Sequence, residues 1–275
     1  MNRTLAGRTI LMSGGSRGIG LAIAERAARD GANIAILAKT DTPHPKLEGT
    51  IHTAASAIEA AGGQALPILG DVRSEESVQE AVARTVERFG GIDIVVNNAS
   101  AIDLSPTADL PMKKYDLMQD INTRGSFLLA KSALPHLRAS DAAHVLTLSP
   151  PLNLDPHWAG AHLGYTIAKY GMSLVTLGLA QEWRELGIAA NSLWPRTAIA
   201  TAAVANLLGG EQTMARSRSP QIMADAAHAI LTRAPAECTG RFLVDDEVLA
   251  EEGITDLSSY GPPREQLMTD FFLDR

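Results

Sequence analysis

At 275 residues and 29.1 kDa, with 45% apolar and 20% charged residues, the chain is long enough to bury a core without disulfides or a metal. Its composition excludes a disordered, collagen-like or coiled-coil protein. Lysine and arginine total 24 against 31 aspartate and glutamate, a net charge of −7, so the overall field opposes nucleic-acid phosphates and anionic membranes.

Any anionic ligand therefore needs a local site. Cys238 is the single cysteine, which forbids an intrachain disulfide and suits a reducing compartment. The longest apolar run before Gly15 is Ile10-Leu11-Met12, too little for a signal peptide or a membrane span, so a cytoplasmic location is expected.

In chain order, short β-rich apolar runs at 9–12, 33–37, 65–69, 92–96, 144–148, 189–194 and 242–244 alternate with helical patterns. That alternation predicts an α/β fold: one doubly wound Rossmann-type domain over 1–275, with a mostly parallel, about seven-stranded sheet between two helix layers. The apolar run at 92–96 suits a central strand covered on both faces. A first helix is expected over Leu21–Asp30, stopping at Gly31. Pro43 and Pro45 then mark a surface loop, with helix resuming near Thr50. Between Ser74 and Gly90, valines at 78, 82 and 86, Ser74 as cap, and Glu75, Glu76, Arg84 and Arg88 at the favourable ends predict a helix. A further helix is read over 113–135. The proline-rich stretch 149–163 and the interruption 207–220 are expected to be irregular loops that wall a substrate pocket.

The first strand runs straight into Ser13-Gly14-Gly15-Ser16-Arg17-Gly18-Ile19-Gly20 and then a helix. Glycines here allow close approach to a pyrophosphate, whose charge meets free N–H groups and the helix dipole; a tight strand-to-helix turn is the plainer reading. The second strand ends at Ala38-Lys39, where no carboxylate is available for an adenosine ribose. Lys39 and Arg17 would instead neutralise a 2′-phosphate, which favours NADP(H) over NAD(H), unless both are merely solvated cations. Asp71 and Val72 are placed to meet the adenine edge, or Asp71 to cap the next helix. Asn97-Asn98-Ala99 either line the cleft or form a turn. Tyr165 and Lys169, four apart in a predicted helix, share one face, where an ammonium would lower the phenol toward working pH, although such pairs are also ordinary surface neighbours. Ser149, at a strand end, can offer a hydroxyl to a substrate oxygen or form a turn. Asn122 is a poor helix former that reads as a kink or a surface residue. His144, His157 and His162 lack metal-ligand spacing, so no metal is expected.

In this order, the glycine turn, Asn97-Asn98-Ala99, Asn122, Ser149, Tyr165 and Lys169 resemble the short-chain dehydrogenase/reductases along essentially the whole chain. The resemblance implies Tyr165 as acid-base, Lys169 as its electrostatic partner and ribose ligand, Ser149 as substrate-oxygen donor, and Asn122 as support for a relay water. It implies cofactor contacts from Gly14, Ser16, Arg17, Gly18, Ile19, Gly20, Lys39, Asp71, Val72, Asn98, Ala99, Tyr165, Lys169, Pro195 and Thr197, and a homodimer or homotetramer built on long helices. Three departures stand out. Ser13 replaces the usual Thr, Ser149 and Tyr165 are 16 residues apart instead of closer, and Arg196 follows Pro195 where Gly is usual. The expected reaction is NADP(H)-dependent interconversion of an alcohol with an aldehyde or ketone. Leu152, Leu154 and Trp158, with Ile199, Val204, Leu207 and Leu208, point to an apolar terpenoid, fatty or steroidal substrate, or else pack a dimer face. The alternatives are an enoyl or dienoyl thioester reductase on the same fold and a non-catalytic NADP(H)-sensing module.

Overall fold

Seven strands, β1 (Thr9–Ser13), β2 (Asn33–Ala38), β3 (Gln64–Leu69), β4 (Ile94–Asn97), β5 (His144–Thr147), β6 (Ala189–Trp194) and β7 (Phe242–Val244), pair in parallel in the order β3-β2-β1-β4-β5-β6-β7. This computed structural model describes residues 3–43, 48–207 and 210–274; His44, Pro45, Lys46 and Leu208 lie outside the described residues, as does the side chain of Leu207. The helices are α1 (Gly18–Ala28), α2 (Ile51–Ala60), α3 (Glu75–Phe89), α4 (Met112–Met118), α5 (Gly125–Leu137), α6 (Pro156–Ala161), α7 (Leu163–Glu182), α8 (Ala202–Leu207), α9 (Gly210–Met214), α10 (Gln221–Leu231) and α11 (Asp245–Glu251).

The strands are apolar on both sides because each successive side chain enters a different core. Ile10, Met12, Ile34, Ile36, Ile94 and Val96 pack with Ile23 of α1 and Ile222 and Ile230 of α10. Their neighbours Leu11, Ala35, Leu37 and Val95 pack on the opposite face with Val78 of α3, Leu129 of α5 and Leu179 of α7. The strand order reverses between β1 and β4, so a crevice opens at the carboxyl ends of those two strands.

α3 begins and ends as its sequence predicts: the Ser74 side chain accepts from Ser77 N–H, and Gly90 closes the helix at φ 86°. α2 is capped by Thr50, paired reciprocally with Thr53. α1 begins three residues before the expected Leu21. The first N–H groups of a helix need no partner inside it, so the low helix propensity of Gly18 and Gly20 is little penalised there. The segment read as one helix over 113–135 is instead α4 and α5 joined by a widened π-helical turn, Gln119–Arg124. At its centre the Asn122 amide turns inward and bonds the backbone of Ala101, accepting from its N–H at 2.7 Å and donating to its carbonyl at 3.0 Å. The loop predicted over 149–163 contains α6, whose first turn is capped by Asp155 accepting from His157 N–H. The interruption at 207–220 is partly helical through α9. No helix among the described residues is long and apolar enough to cross a membrane.

Asp30, just beyond α1, accepts from Leu5 N–H at 2.8 Å, lies 2.8 Å from His228 Nε2 and accepts from Arg26 Nη1 at 3.1 Å. Burial works against its charge, but these bonds outweigh burial and hold the carboxyl at about 2 against the usual 3.8. A value depressed by folding adds stability above pH 3.8 that disappears as pH falls through the folded value. Asp30→Asn should therefore cost about 1–2 kcal/mol at pH 7 and little at pH 2, which urea unfolding at the two pH values will show.

Candidate active site

The crevice is built first from backbone. At the end of β1, Ser13 Oγ accepts from the N–H groups of Asn98 at 3.2 Å and Ala99 at 3.1 Å, and Asn98 Nδ2 donates back to the carbonyls of Ser13 at 3.3 Å and Gly14 at 2.8 Å. These bonds press the glycine turn against the end of β4. A Cβ on Gly14, which sits at φ +74°, would come within 2.8 Å of Ala99 Cα, and one on Gly20 within 2.6 Å of Asn98 Nδ2. Only glycine fits either place. Arg17, at the N-cap of α1, makes no side-chain cap, and the first turn holds no acid, so its N–H groups remain available to an anion.

A cleft of about 1040 Å³ runs from this turn. Gly14, Ser16, Arg17, Gly18 and Ile19 form its floor, Lys39 and Asp71-Val72 stand at one end, and Asn98 and Ala99 at the switch point. Gly20 lies behind the wall as a packing glycine. The free helix terminus, the glycine cradle and the volume together fit an extended dinucleotide. Lys39 Nζ is 3.1 Å from Asp71 Oδ2, and Arg73 binds the same carboxylate at 2.6 Å, which holds Asp71 far below the usual carboxylate range. Asp71 does not cap α3, because Ser74 does. Arg17 donates to Gly49 O at 2.7 Å, while burial pushes its guanidinium down.

The second half of the site comes from α7. Lys169 Nζ donates to Leu148 O at 2.8 Å and lies 5.1 Å from the centre of the Trp194 ring. Leu148 N–H in turn bonds Asn97 O at 3.0 Å, so the ammonium is fastened at the carboxyl edge of the sheet beside the switch point. Burial lowers Lys169 to about 7, against the opposing pull of Asp270. Tyr165, one helical turn earlier, is only 5% exposed, with its ring against Phe271 and Phe272. Burial, reinforced by the charge of Asp270, pushes its phenol well above the ordinary 10. The spacing leads one to expect the opposite shift. It does not occur because loss of water and the charge of Asp270 act on the phenol, while the Lys169 ammonium bonds Leu148 O and lies over Trp194.

Neither Tyr165 nor Lys169 lines the large cleft. Ser149 Oγ lies 2.9 Å from Ser192 Oγ of β6, fully buried just beyond β5, so the hydroxyl bonds across to the neighbouring strand. The Asn122 amide bonds Ala101 at both ends, accepting from its N–H and donating to its carbonyl, so the side chain ties the π-helical turn to the loop after β4. Pro195 and Thr197 are buried outside the cleft lining, and Thr197 pairs with Thr269 in an antiparallel bridge. Arg196, the unusual residue between them, points away: its guanidinium binds Asp246 at 3.1 Å and Glu247 at the start of α11. Ile199 belongs to the core beside α10, and Leu154 is 83% exposed on an outer groove.

Sequence reasoning did not single out Trp194, Asp270, Phe271 or Phe272. Periodicity gives no sign of them. The available signal is compositional, since two of only five phenylalanines stand side by side.

A family model described as short chain dehydrogenase matches residues 8–211. The chain belongs to the short-chain dehydrogenase family. Members are oxidoreductases, and the fold implies a nicotinamide nucleotide cofactor. The chain is 57% identical over 271 residues to hydroxysteroid dehydrogenase-like protein 2 of Xenopus tropicalis, which covers 98% of this chain and 64% of that protein. It thus spans under two thirds of the length of that curated relative. A crystal structure of a putative dehydrogenase from Xanthomonas campestris superposes with a TM-score of 0.95 at 59% identity, covering 99% of this chain and 100% of the other. A short chain dehydrogenase from Mycobacterium thermoresistibile gives 0.93 at 55% identity, covering 98% and 96%.

The clasp between β1 and β4 is open to test. Ser13→Ala leaves the Asn98 and Ala99 N–H groups without their acceptor and should cost about 1–3 kcal/mol in denaturant unfolding, whereas Ser13→Thr should recover most of it.

Proposed function

We propose that the protein is an NADP(H)-dependent enzyme interconverting an apolar aldehyde or ketone and its alcohol, with residues 1–275 acting as one cofactor-binding unit. One observation carries this reading: Lys169 is fastened to Leu148 O, whose N–H bonds Asn97 O at the end of β4, so α7 and its Tyr165 are tied to the strand end whose next residues, Asn98 and Ala99, line the cleft. When bound, the nicotinamide supplies or accepts the hydride. Tyr165 handles the proton on the substrate oxygen. The phenol, raised above its ordinary value by burial, is neutral at working pH and so carries the proton that carbonyl reduction consumes. Lys169, lowered to about 7 by burial and one helical turn from Tyr165, supplies the neighbouring positive charge when protonated. Asn122 holds the loop after β4 through Ala101, and Ser149 braces β5 on β6.

Lys39 and Arg17, both on the cleft, support binding of a 2′-phosphate, with Lys39 transferring from Asp71 to the ligand. Exposed apolar side chains on α5 and α7, among them Phe127 at 49% and Leu174 at 56%, support association into a homodimer or homotetramer. The lone, buried cysteine supports a cytoplasmic location.

Tyr165→Phe should reduce NADPH oxidation with aliphatic aldehydes by at least about 10³-fold while NADPH affinity changes less than about threefold, and retained turnover would remove Tyr165 from the mechanism. In the wild type, alcohol oxidation, which needs the phenolate, should climb with pH. Enoyl thioesters consumed in place of aldehydes would favour the reductase alternative, and NADPH binding without consumption of any substrate would favour a sensor. Lys39→Ala should lower the ratio of NADPH to NADH in kcat/KM by about tenfold; an unchanged ratio would return the preference to NAD(H) or to other residues.

A further inference from the structure

The segment 267–274 packs on Tyr165 through Phe271 and Phe272. Its backbone continues the sheet edge beyond β6: Ala198 N–H donates to Met268 O at 2.8 Å, Asp270 N–H to Arg196 O at 3.1 Å, and Met268 N–H to Arg216 O at 2.9 Å. Two side chains then hold the next carbonyls, Trp194 Nε1 donating to Phe271 O at 2.9 Å and Asn153 Nδ2 to Phe272 O at 3.3 Å. The segment is therefore held by direct bonds from the loop after β5, from β6 and from the stretch that follows β6.

Within it, Phe272 takes φ 68°, alone among the described non-glycine residues in the left-handed region. That conformation is unfavourable for an aromatic residue. What opposes the strain is ring contact. The Phe272 ring centre lies 5.2 Å from that of Tyr170, 5.9 Å from Trp158, 6.0 Å from Trp194 and 6.2 Å from Tyr165. Phe271 stands 5.5 Å from His162 and 6.4 Å from Tyr165. Such separations and tilted planes are those of packed aromatic pairs. Phe271 and Phe272 are thus the rings packed on Tyr165, which they help to leave only 5% exposed, while Phe271 itself is half-buried.

We propose that Phe271 and Phe272 are specificity-determining residues: they form the apolar wall on which the non-reacting hydrocarbon of a carbonyl substrate lies, so that long or flat apolar carbonyl compounds are taken in preference to short ones. The proposal rests on carbonyl reduction at Tyr165. It deepens that reading by naming the surface that sorts substrates. Trp158 and Tyr170 back the wall and Trp194 joins it to Lys169, so the same residues that order the rings also order the reacting pair.

The test compares kcat/KM for decanal and propanal, with NADPH, in the wild type, Phe271→Ala, Phe272→Ala and Phe272→Leu. For Phe272→Ala the decanal-to-propanal ratio should fall at least about tenfold, chiefly through the KM for decanal, and Phe272→Leu should keep it within about threefold. A ratio that does not move, or two aldehydes that lose activity in parallel, overturns the proposal. NADPH affinity should stay within about twofold, because the cleft is lined by other residues. Binding of 2-undecanone to the NADP⁺-loaded protein, read from tryptophan fluorescence, separates the two ideas. If the wild type reduces neither aldehyde, carbonyl reduction fails. The wall then stands only if 2-undecanone binds the wild type and binds Phe272→Ala about tenfold more weakly. Should Phe272→Ala not fold, Phe271→Ala carries the same expectation, and its failure to change the ratio overturns it.

Discussion

The parting of β1 and β4 governs the rest of the molecule. Where neighbouring strands send their crossovers in opposite directions, the backbone groups at their carboxyl ends lose the ladder that satisfied them. Here Ser13 Oγ and Asn98 Nδ2 take up those groups, two bonds in each direction. The clasp forces the glycine turn so close to Ala99 and Asn98 that no side chain fits at positions 14 and 20. It thereby points the unfilled N-terminus of α1 into the cleft, and one short set of hydrogen bonds shapes the cradle and aims its electrostatics.

The surroundings of Tyr165 depend on burial more than on pairing. Tyr165, Lys169 and Asp270 share a chamber closed by aromatic rings, and each is pushed toward its neutral form by loss of water. Asp270 moves to about 7 for this reason, and its charge pulls Lys169 up while raising Tyr165 further. Asp245, buried behind it and raised to about 6, accepts the N–H groups of Arg196 and Asp246 and so connects α11 to the same edge. Proton affinity here is a property of the closed chamber as a whole, not of a tyrosine and lysine taken by themselves.

The long interval between Ser149 and Tyr165 also finds its reason in this chamber. The extra residues fold into α6, placing Trp158 against Phe272 and His162 against Phe271. The interval builds one side of the aromatic enclosure. Arg196 is explained similarly, since its guanidinium meets the acidic first turn of α11 and leaves the crevice clear.

All seven strands, the capped ends of α3 and the glycine turn were legible in the order of residues, because caps, apolar runs and steric demands on glycine act over a few neighbouring positions. Family membership was legible for the same reason, being carried by short motifs in a set order. Three things depended on residues far apart in sequence: the Ser149 hydroxyl turned to Ser192, the upward shift of Tyr165, and the placement of Phe271 and Phe272 over it. Local pattern sets which backbone shape a stretch prefers, but the direction of a hydroxyl and the water left around a phenol are set by whatever else the folded chain brings beside them.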